Sequence, residues 1–278
     1  MYKYLCLLQI FLSLLLVSLA YADFDEAVTA YETGDYAKAY KEFKALADQG
    51  NGPAQLRLAV MYDLGQGVQQ NQTEAIKWYV KAAEQGLARA ELALGMKYAG
   101  AIGIPQDYSQ AVKWYTRAAE HGVPEAQSDL GLMYSQGKGV TQDKAEAVKW
   151  YRKAAEQGYD MAQCNLGLMY AKGEGVPQDY TEAVKWFLKA AGQGYVNAQH
   201  NLGVAYEKGD GVPKDLVSAY MWFSLAAARG DSDAKSRIEI LARQMTPPQI
   251  VEAQRMIGDW RPTEPDSQSL FFTPPRYP

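Results

Sequence analysis

Small and apolar residues recur along this chain at three- and four-residue spacing, break at a glycine-rich turn, and recur again. The whole cycle repeats every 36 residues, beginning at Ala54, Ala90, Ala126, Ala162 and Ala198. In the first part of each cycle Ala54, Leu58 and Tyr62, then Ala126, Leu130 and Tyr134, then Ala162, Leu166 and Tyr170 mark one face of a helix, expected over Pro53 to Leu64 in the first full cycle. The second part places Ala75, Trp78, Tyr79, Ala82 and Ala83 on one face and stops at Gly86, where glycine takes the left-handed position that closes a helix. Self-similarity at this period predicts an all-α, right-handed α-solenoid of helix-turn-helix repeats with a 36-residue period.

The punctuation agrees with the periodicity. Gly65-x-Gly67, Gly137-x-Gly139, Gly173-x-Gly175 and Gly209-x-Gly211 release the chain from the first helix, with Ala101 and Gly103 at the same place in the second full cycle. With no strand before it and no third glycine or Lys-Ser/Thr after it, this pair is turn chemistry rather than a phosphate loop. Asp143 with Glu146 and Asp179 with Glu182 form capping boxes for the second helix, and Asn71 with Glu74 and Asp107 with Gln110 serve the same end. Gly95, Gly131, Gly167 and Gly203 fall mid-helix, where glycine costs about 1 kcal/mol against alanine. A cost repeated at fixed spacing implies close approach of a neighbouring helix, with Ala59 the next smallest choice in the first full cycle.

The flanks divide the chain further. Residues 1–22 combine Lys3, an apolar run from Leu5 to Leu19 and a small-x-small Ala20-Tyr21-Ala22, the signature of an export signal cleaved before Asp23. Residues 23–52 read as a shortened helix pair, because Ala39, Phe43, Ala47 and Gly50 lie one period before Ala75, Tyr79, Ala83 and Gly86. Five full repeats fill 53–233. Residues 234–260 read as capping helices, with Thr246 as N-cap and Pro247 at the first helical position, and with a more polar outer face. The tail, 261–278, rich in Pro and Ser, reads as irregular; Phe271 and Phe272 dock on the last helix or elsewhere, and the sequence does not choose.

Composition narrows the function classes. Removing the signal changes the formal charge from -4 to about -5, since Lys3 is its only ionisable side chain apart from Cys6 and the tyrosines. A mildly acidic chain lacks the basic field that nucleic-acid binding requires. No further segment is apolar enough to span a membrane, so no integral membrane segment is expected after signal removal. The mature chain keeps Cys164 alone, in a column held elsewhere by Leu56, Leu92, Ser128 and His200, which makes it a packing residue and leaves no internal disulfide.

The search for chemistry is short. His121 and His200 fall in different repeats at different places, so they are not expected to share a metal or activate a nucleophile. The acids are taken up by caps and by i,i+3 pairs with Lys77, Lys149 and Lys185. The column Trp78, Trp114, Trp150, Trp186 and Trp222 stands beside Tyr/Phe and Ala-Ala, which points to inter-helix packing rather than a stacking platform for bases or sugars. No enzyme, cofactor or metal is expected.

The unit resembles the Sel-1-like repeat, a relative of the tetratricopeptide repeat, through Ala126, Leu130, Gly131, Tyr134, Gly137, Gly139, Val140, Asp143, Ala147, Trp150, Tyr151, Ala154, Ala155 and Gly158. The resemblance covers about 53–230, with weaker flanks, and the first short pair is then tetratricopeptide-like. It implies a bacterial, exported, protein-binding scaffold or adaptor in envelope assembly or host interaction, periplasmic or secreted, whose first helices line the concave face. Comparing repeats on that face gives Arg57, Met61, Lys97, Asp129, Asn165, Met169 and Asn201 as candidate partner-binding residues for a protein or peptide. Oligomeric state is left open. The alternatives are a hydrolase or penicillin-binding protein acting on cell-wall or β-lactam substrates, which the lone cysteine disfavours because such relatives carry a disulfide in every repeat, and a glycan-binding envelope protein.

Overall fold

The computed structural model describes residues 23–263. The expected leader at 1–22 and all of the tail beyond 263 lie outside the described residues; 261–263 are non-helical. Among the described residues there are helices and no strands. They form two compact units, divided between Val123 and Pro124.

The first unit holds α1 (23–32), α2 (Tyr36–Asp48), α3 (Gly52–Leu64), α4 (Gln72–Glu84), α5 (Ala88–Gly100) and α6 (Tyr108–Glu120). From α2 onward each helix packs on its neighbour in sequence. Phe43, Leu58, Met61 and Leu94 are fully buried there, with Ala54, Ala75, Ala82 and Ala83 bringing backbones close enough for Trp78 and Tyr79 to fill the remaining space. The short first pair is a true helix pair: Phe24 and Tyr31 meet Phe43 edge-on at 5.7 and 6.5 Å.

The second unit holds α7 (Pro124–Gln136), α8 (Lys144–Glu156), α9 (Asp160–Lys172), α10 (Tyr180–Gly192), α11 (Val196–Lys208), α12 (Leu216–Ala227), α13 (Ser232–Ala242) and α14 (Pro247–Asp259). Both closing helices pack on α12, with Phe223, Ala234, Leu241, Met245 and Ala253 between them. Gln249 Oε1 accepts from the Thr246 N–H at 2.8 Å and holds the start of α14. The exposed positions of the closing helices are mostly polar, among them Lys235, Glu239, Glu252 and Arg255, with Ile240 and Val251 52% and 64% exposed beside them.

Two repeated contacts explain the glycines. In four repeats a Cβ at the mid-helix glycine would strike the aromatic ring of the following helix, for example at 2.6 Å between Gly167 and Phe187 and 2.5 Å between Gly95 and Tyr115. The second turn glycine reaches further back. A Cβ on Gly175 would lie 2.3 Å from the Lys144 carbonyl, at the start of the preceding repeat's second helix, and Gly67 and Gly211 meet Tyr36 and Tyr180 in the same way. The turn therefore sets spacing between repeats as well as ending a helix.

The caps are formed, but not as full boxes. Asn71, Asp107, Asp143 and Asp179 each accept from the N–H three residues on. The carboxylates of Glu74, Glu146 and Glu182 instead turn to Lys77, Lys149 and Lys185 at 2.6, 2.7 and 2.9 Å. Exposed i,i+3 pairs of this kind contribute about 0.2–0.5 kcal/mol each to the helix.

Candidate partner-binding surface

Each first helix buries one side and leaves the other to solvent. On the open side of α9 stand Met161, Asn165, Leu168 and Lys172, which follow one another at four- and three-residue spacing and so share one stripe. The corresponding stripes are Pro53, Arg57, Val60 and Leu64 on α3, Arg89, Ala93, Met96 and Gly100 on α5, Glu125, Asp129, Leu132 and Gln136 on α7, and Asn197, Asn201, Val204 and Lys208 on α11; every one of these residues is exposed or half-buried.

The structure divides the candidate residues. Arg57, Asp129, Asn165 and Asn201 are half-buried in the open stripe. The Arg57 guanidinium lies 5.8 Å from the Tyr31 ring centre, and Asn201 Nδ2 donates to Cys164 Sγ at 3.6 Å. Met61, Lys97 and Met169 are not on this face. They are 0%, 3% and 5% exposed, so the sequence-based placement of these three is corrected. Met61 and Met169 fill core space, where an unbranched side chain adapts to irregular gaps.

Lys97 reaches the same core position by another route. Its Nζ lies 2.8 Å from Asp63 Oδ1 and 2.8 Å from Gln72 Oε1, while Tyr79 Oη donates to Asp63 Oδ2 at 3.2 Å. A buried ammonium persists only with such partners, because its desolvation cost is several kcal/mol. Variation in this column thus records compensated burial, not contact with a partner.

The residues that comparison of repeats missed are Val60, Met96, Leu132, Leu168 and Val204. They are apolar in every repeat and therefore read as core, yet each is half-exposed beside the variable column. The available signal was their position three residues after the variable one, on the same helical stripe.

The remaining polar groups are structural. Gln85 donates to Gln55 at 2.8 Å, Gln157 to Gln127 at 2.7 Å and Gln193 to Gln163 at 2.9 Å, joining the end of a second helix to the first helix of its own repeat. In the second full repeat Glu91, fully buried, replaces this glutamine; His121 Nδ1 lies 2.9 Å from one carboxylate oxygen and Arg117 Nη2 2.8 Å from the other. His200 Nδ1 lies 2.7 Å from Asp231 Oδ2. Burial raises the Asp231 pKa, but the Ala234 N–H, His200 and the Asp233 N–H outweigh it and hold the carboxyl below its ordinary range. The two histidines thus serve separate carboxylates. Among the described residues no group of three or more His, Cys, Asp or Glu could hold a metal ion.

Cys164 is 1% exposed, and burial pushes its thiol up to about 12. A thiol held neutral is a poor nucleophile, which fits the packing role read from its column. Of the five-tryptophan column, Trp78, Trp114, Trp186 and Trp222 are buried and Trp150 half-buried. Lys81, Arg117, Lys153 and Lys189 cover the rings of Trp78, Trp114, Trp150 and Trp186 at 3.9, 4.9, 3.8 and 4.1 Å from their centres. The indoles are framework, and cations occupy the faces that a base or sugar would need.

Comparison with known families gives the frame for this geometry. The family model of the Sel1 repeat matches residues 52–87, 88–123, 124–159, 160–195 and 196–231, well over half of the chain. The chain belongs to the Sel1 repeat family. Its Sel1 repeats begin at the first helix and end after the closing glycine of the second. A Sel1 repeat protein from Oxalobacter formigenes is 31% identical over 87% of this chain and 99% of its own, with a TM-score of 0.75. A protective antigen present in uropathogenic Escherichia coli strains, displaying an SLR fold, is 34% identical over 86% of this chain, with a TM-score of 0.78; this chain spans only 53% of that one. Comparison with curated proteins finds no match. The all-α solenoid class read from the period is the class of these Sel1 repeat structures. Sel1 repeats commonly serve as protein–protein interaction scaffolds, and the family is generally non-enzymatic.

Proposed function

We propose that the protein is an exported scaffold that binds a protein or peptide segment on the open side of its first helices, the side expected to be concave. The observation that carries this reading is the pairing of two columns on a constant framework. One column varies, as Arg57, Ala93, Asp129, Asn165 and Asn201; the other is aliphatic throughout, as Val60, Met96, Leu132, Leu168 and Val204. Half-exposed aliphatic groups supply contact area that is released from water on binding, and the changing polar groups beside them supply discrimination between partners.

Export rests on residues 1–22 and gains support from the similar Escherichia coli protein, since a protective antigen is one that the host immune system meets. Crosslinking in intact cells with mass identification of the captured protein tests the scaffold reading. Joint replacement of Arg57, Asp129, Asn165 and Asn201 by alanine removes the captured partner while leaving the helical circular dichroism unchanged. Unaltered capture by that variant argues for another surface. N-terminal sequencing of the protein isolated from cells returns Asp23 first; an intact Met1 would refute the leader.

A further inference from the structure

The open side of the second unit does not stop with the fifth repeat. One period after Asn201, Val204 and Ala205 of α11 come Arg237, Ile240 and Leu241 of α13. Leu241 is fully buried and Ile240 is 52% exposed, the same division between inside and outside that α11 shows at Ala205 and Val204. The three first helices stand side by side: Asn201 Nδ2 of α11 lies 3.6 Å from Cys164 Sγ of α9, and Arg237 Nη1 of α13 lies 2.7 Å from Glu207 Oε2 of α11. Leu168, Val204 and Ile240 therefore form one aliphatic row that runs a helix beyond the last matched repeat.

Two polar rows flank it on α9 and α11. Asn165 and Asn201 stand three residues before the aliphatic group, and Lys172 and Lys208 four residues after it, on the same stripes. Asn165 is half-buried, yet its side-chain amide has no partner among the described residues. Lys172 and Lys208 are exposed and form no ion pair among the described residues, whereas Lys149 and Lys185 on the second helices are held by Glu146 and Glu182. Each of the two ends a helix, where a cation complements the carbonyl end of the dipole, and that role leaves the ammonium group in water.

The spacing selects an occupant. Packed helices stand about 8–10 Å apart, and the aliphatic row repeats at that interval. A polyproline II segment has three residues per turn and rises about 3.1 Å per residue, so every third side chain faces the same way at intervals of about 9 Å. A β-extended segment repeats every second residue, at about 6.6 Å, and falls out of step. A helix repeats every seventh residue at about 10.5 Å, but its main chain is bonded to itself and offers nothing to the asparagines. Polyproline II has no internal hydrogen bonds, so its N–H and C=O groups are open to a side-chain amide, which both donates and accepts.

We propose, building on the scaffold reading above, that α9, α11 and α13 hold a polyproline II segment of a partner protein with an aliphatic residue at every third position and acidic residues in the intervals. The aliphatic side chains cover Leu168, Val204 and Ile240, the Asn165 and Asn201 amides pair with the main chain, and the carboxylates meet Lys172 and Lys208. On α7 the corresponding polar positions are Asp129 and Gln136, so the site begins at α9.

The test selects peptides on the full chain from a displayed library of random sequences and measures a labelled synthetic copy of the best binder by fluorescence anisotropy. Selected peptides are expected to carry aliphatic residues three apart with Asp or Glu between them. The double change K172E and K208E is expected to weaken the copy about tenfold, and N165A about fivefold, with the helical circular dichroism unchanged; fresh selection on the charge-reversed chain is expected to return Lys or Arg in the same intervals. Peptides without acidic enrichment, or with aliphatic residues four and seven apart, that are lost on joint replacement of Arg57, Asp129, Asn165 and Asn201 by alanine overturn this proposal and leave the scaffold reading standing. Selection that yields no peptide sensitive to either set of changes overturns both.

Discussion

The second and fourth full repeats, 88–123 and 160–195, share the same helix pair and differ in the chemistry that holds it. The fourth repeat is neutral inside: Gln163 accepts from Gln193, Met169 fills the core, and Gly173 closes α9 in the left-handed region at φ 68°. In the second repeat Glu91 stands for the glutamine, Lys97 for the methionine, and Ala101 for the glycine at φ 56°. The two changes that bring in a charge are matched by neighbours, Glu91 by Arg117 and His121 and Lys97 by Asp63. Backbone geometry in a repeat is therefore specified by volume and pairing, and the type of polar group is free so long as its partner changes with it.

The largest effect expected from breaking this comparison is at Asp63. Replacing it by alanine leaves Lys97 buried without a counter-charge and costs about 3–5 kcal/mol in urea melts. The double change D63S and K97M, which copies Ser135 and Met169 of the neutral repeats, should restore stability to within about 1 kcal/mol or exceed the parent. A single variant that melts like the parent would show that the pair is not buried in solution.

A feature common to both repeats should break both alike. Gly167→Ala and Gly95→Ala each push a methyl group into an aromatic ring and should cost about 1–3 kcal/mol, despite the gain of about 1 kcal/mol in helix propensity. Unequal losses, read by thermal melting, would show that one ring moves aside more easily.

Ala101 is the one non-glycine residue with positive φ among the described residues. Ala101→Gly should stabilise by about 1 kcal/mol, and the reverse exchange Gly173→Ala in the fourth repeat should cost a similar amount. The smallest effect is at Cys164, whose counterpart in the second repeat is Leu92. Its folded pKa, about 12, lies above the ordinary 9.0, so the stability it contributes is full below about 9 and falls as pH rises from there toward 12. At pH 8 native protein should therefore react with iodoacetamide far more slowly than protein unfolded in urea.

The period, the helix ends and the mid-helix glycines were legible because each rests on local sequence, and a fixed cost repeated at Gly95, Gly131, Gly167 and Gly203 has few explanations. The open face was legible only in part. Met61, Lys97 and Met169 were placed on it because they vary, but a core column also varies when a residue such as Asp63 arises one repeat away, and nothing local announces that pairing. Val60 and Leu168 are illegible for the opposite reason: an unbroken apolar column looks like interior, although both side chains are half-exposed.

The backward reach of the second turn glycine bears on how such a chain can lengthen. Gly175 is fitted to the carbonyl of Lys144, a main-chain atom that any residue supplies. A tandem duplication of one 36-residue segment would therefore arrive with its own docking point and find a ready receptor in whatever preceded it, whereas a gain or loss of one or two residues in the turn would misplace the joint. Growth by whole copies is thus the change this architecture admits with least adjustment.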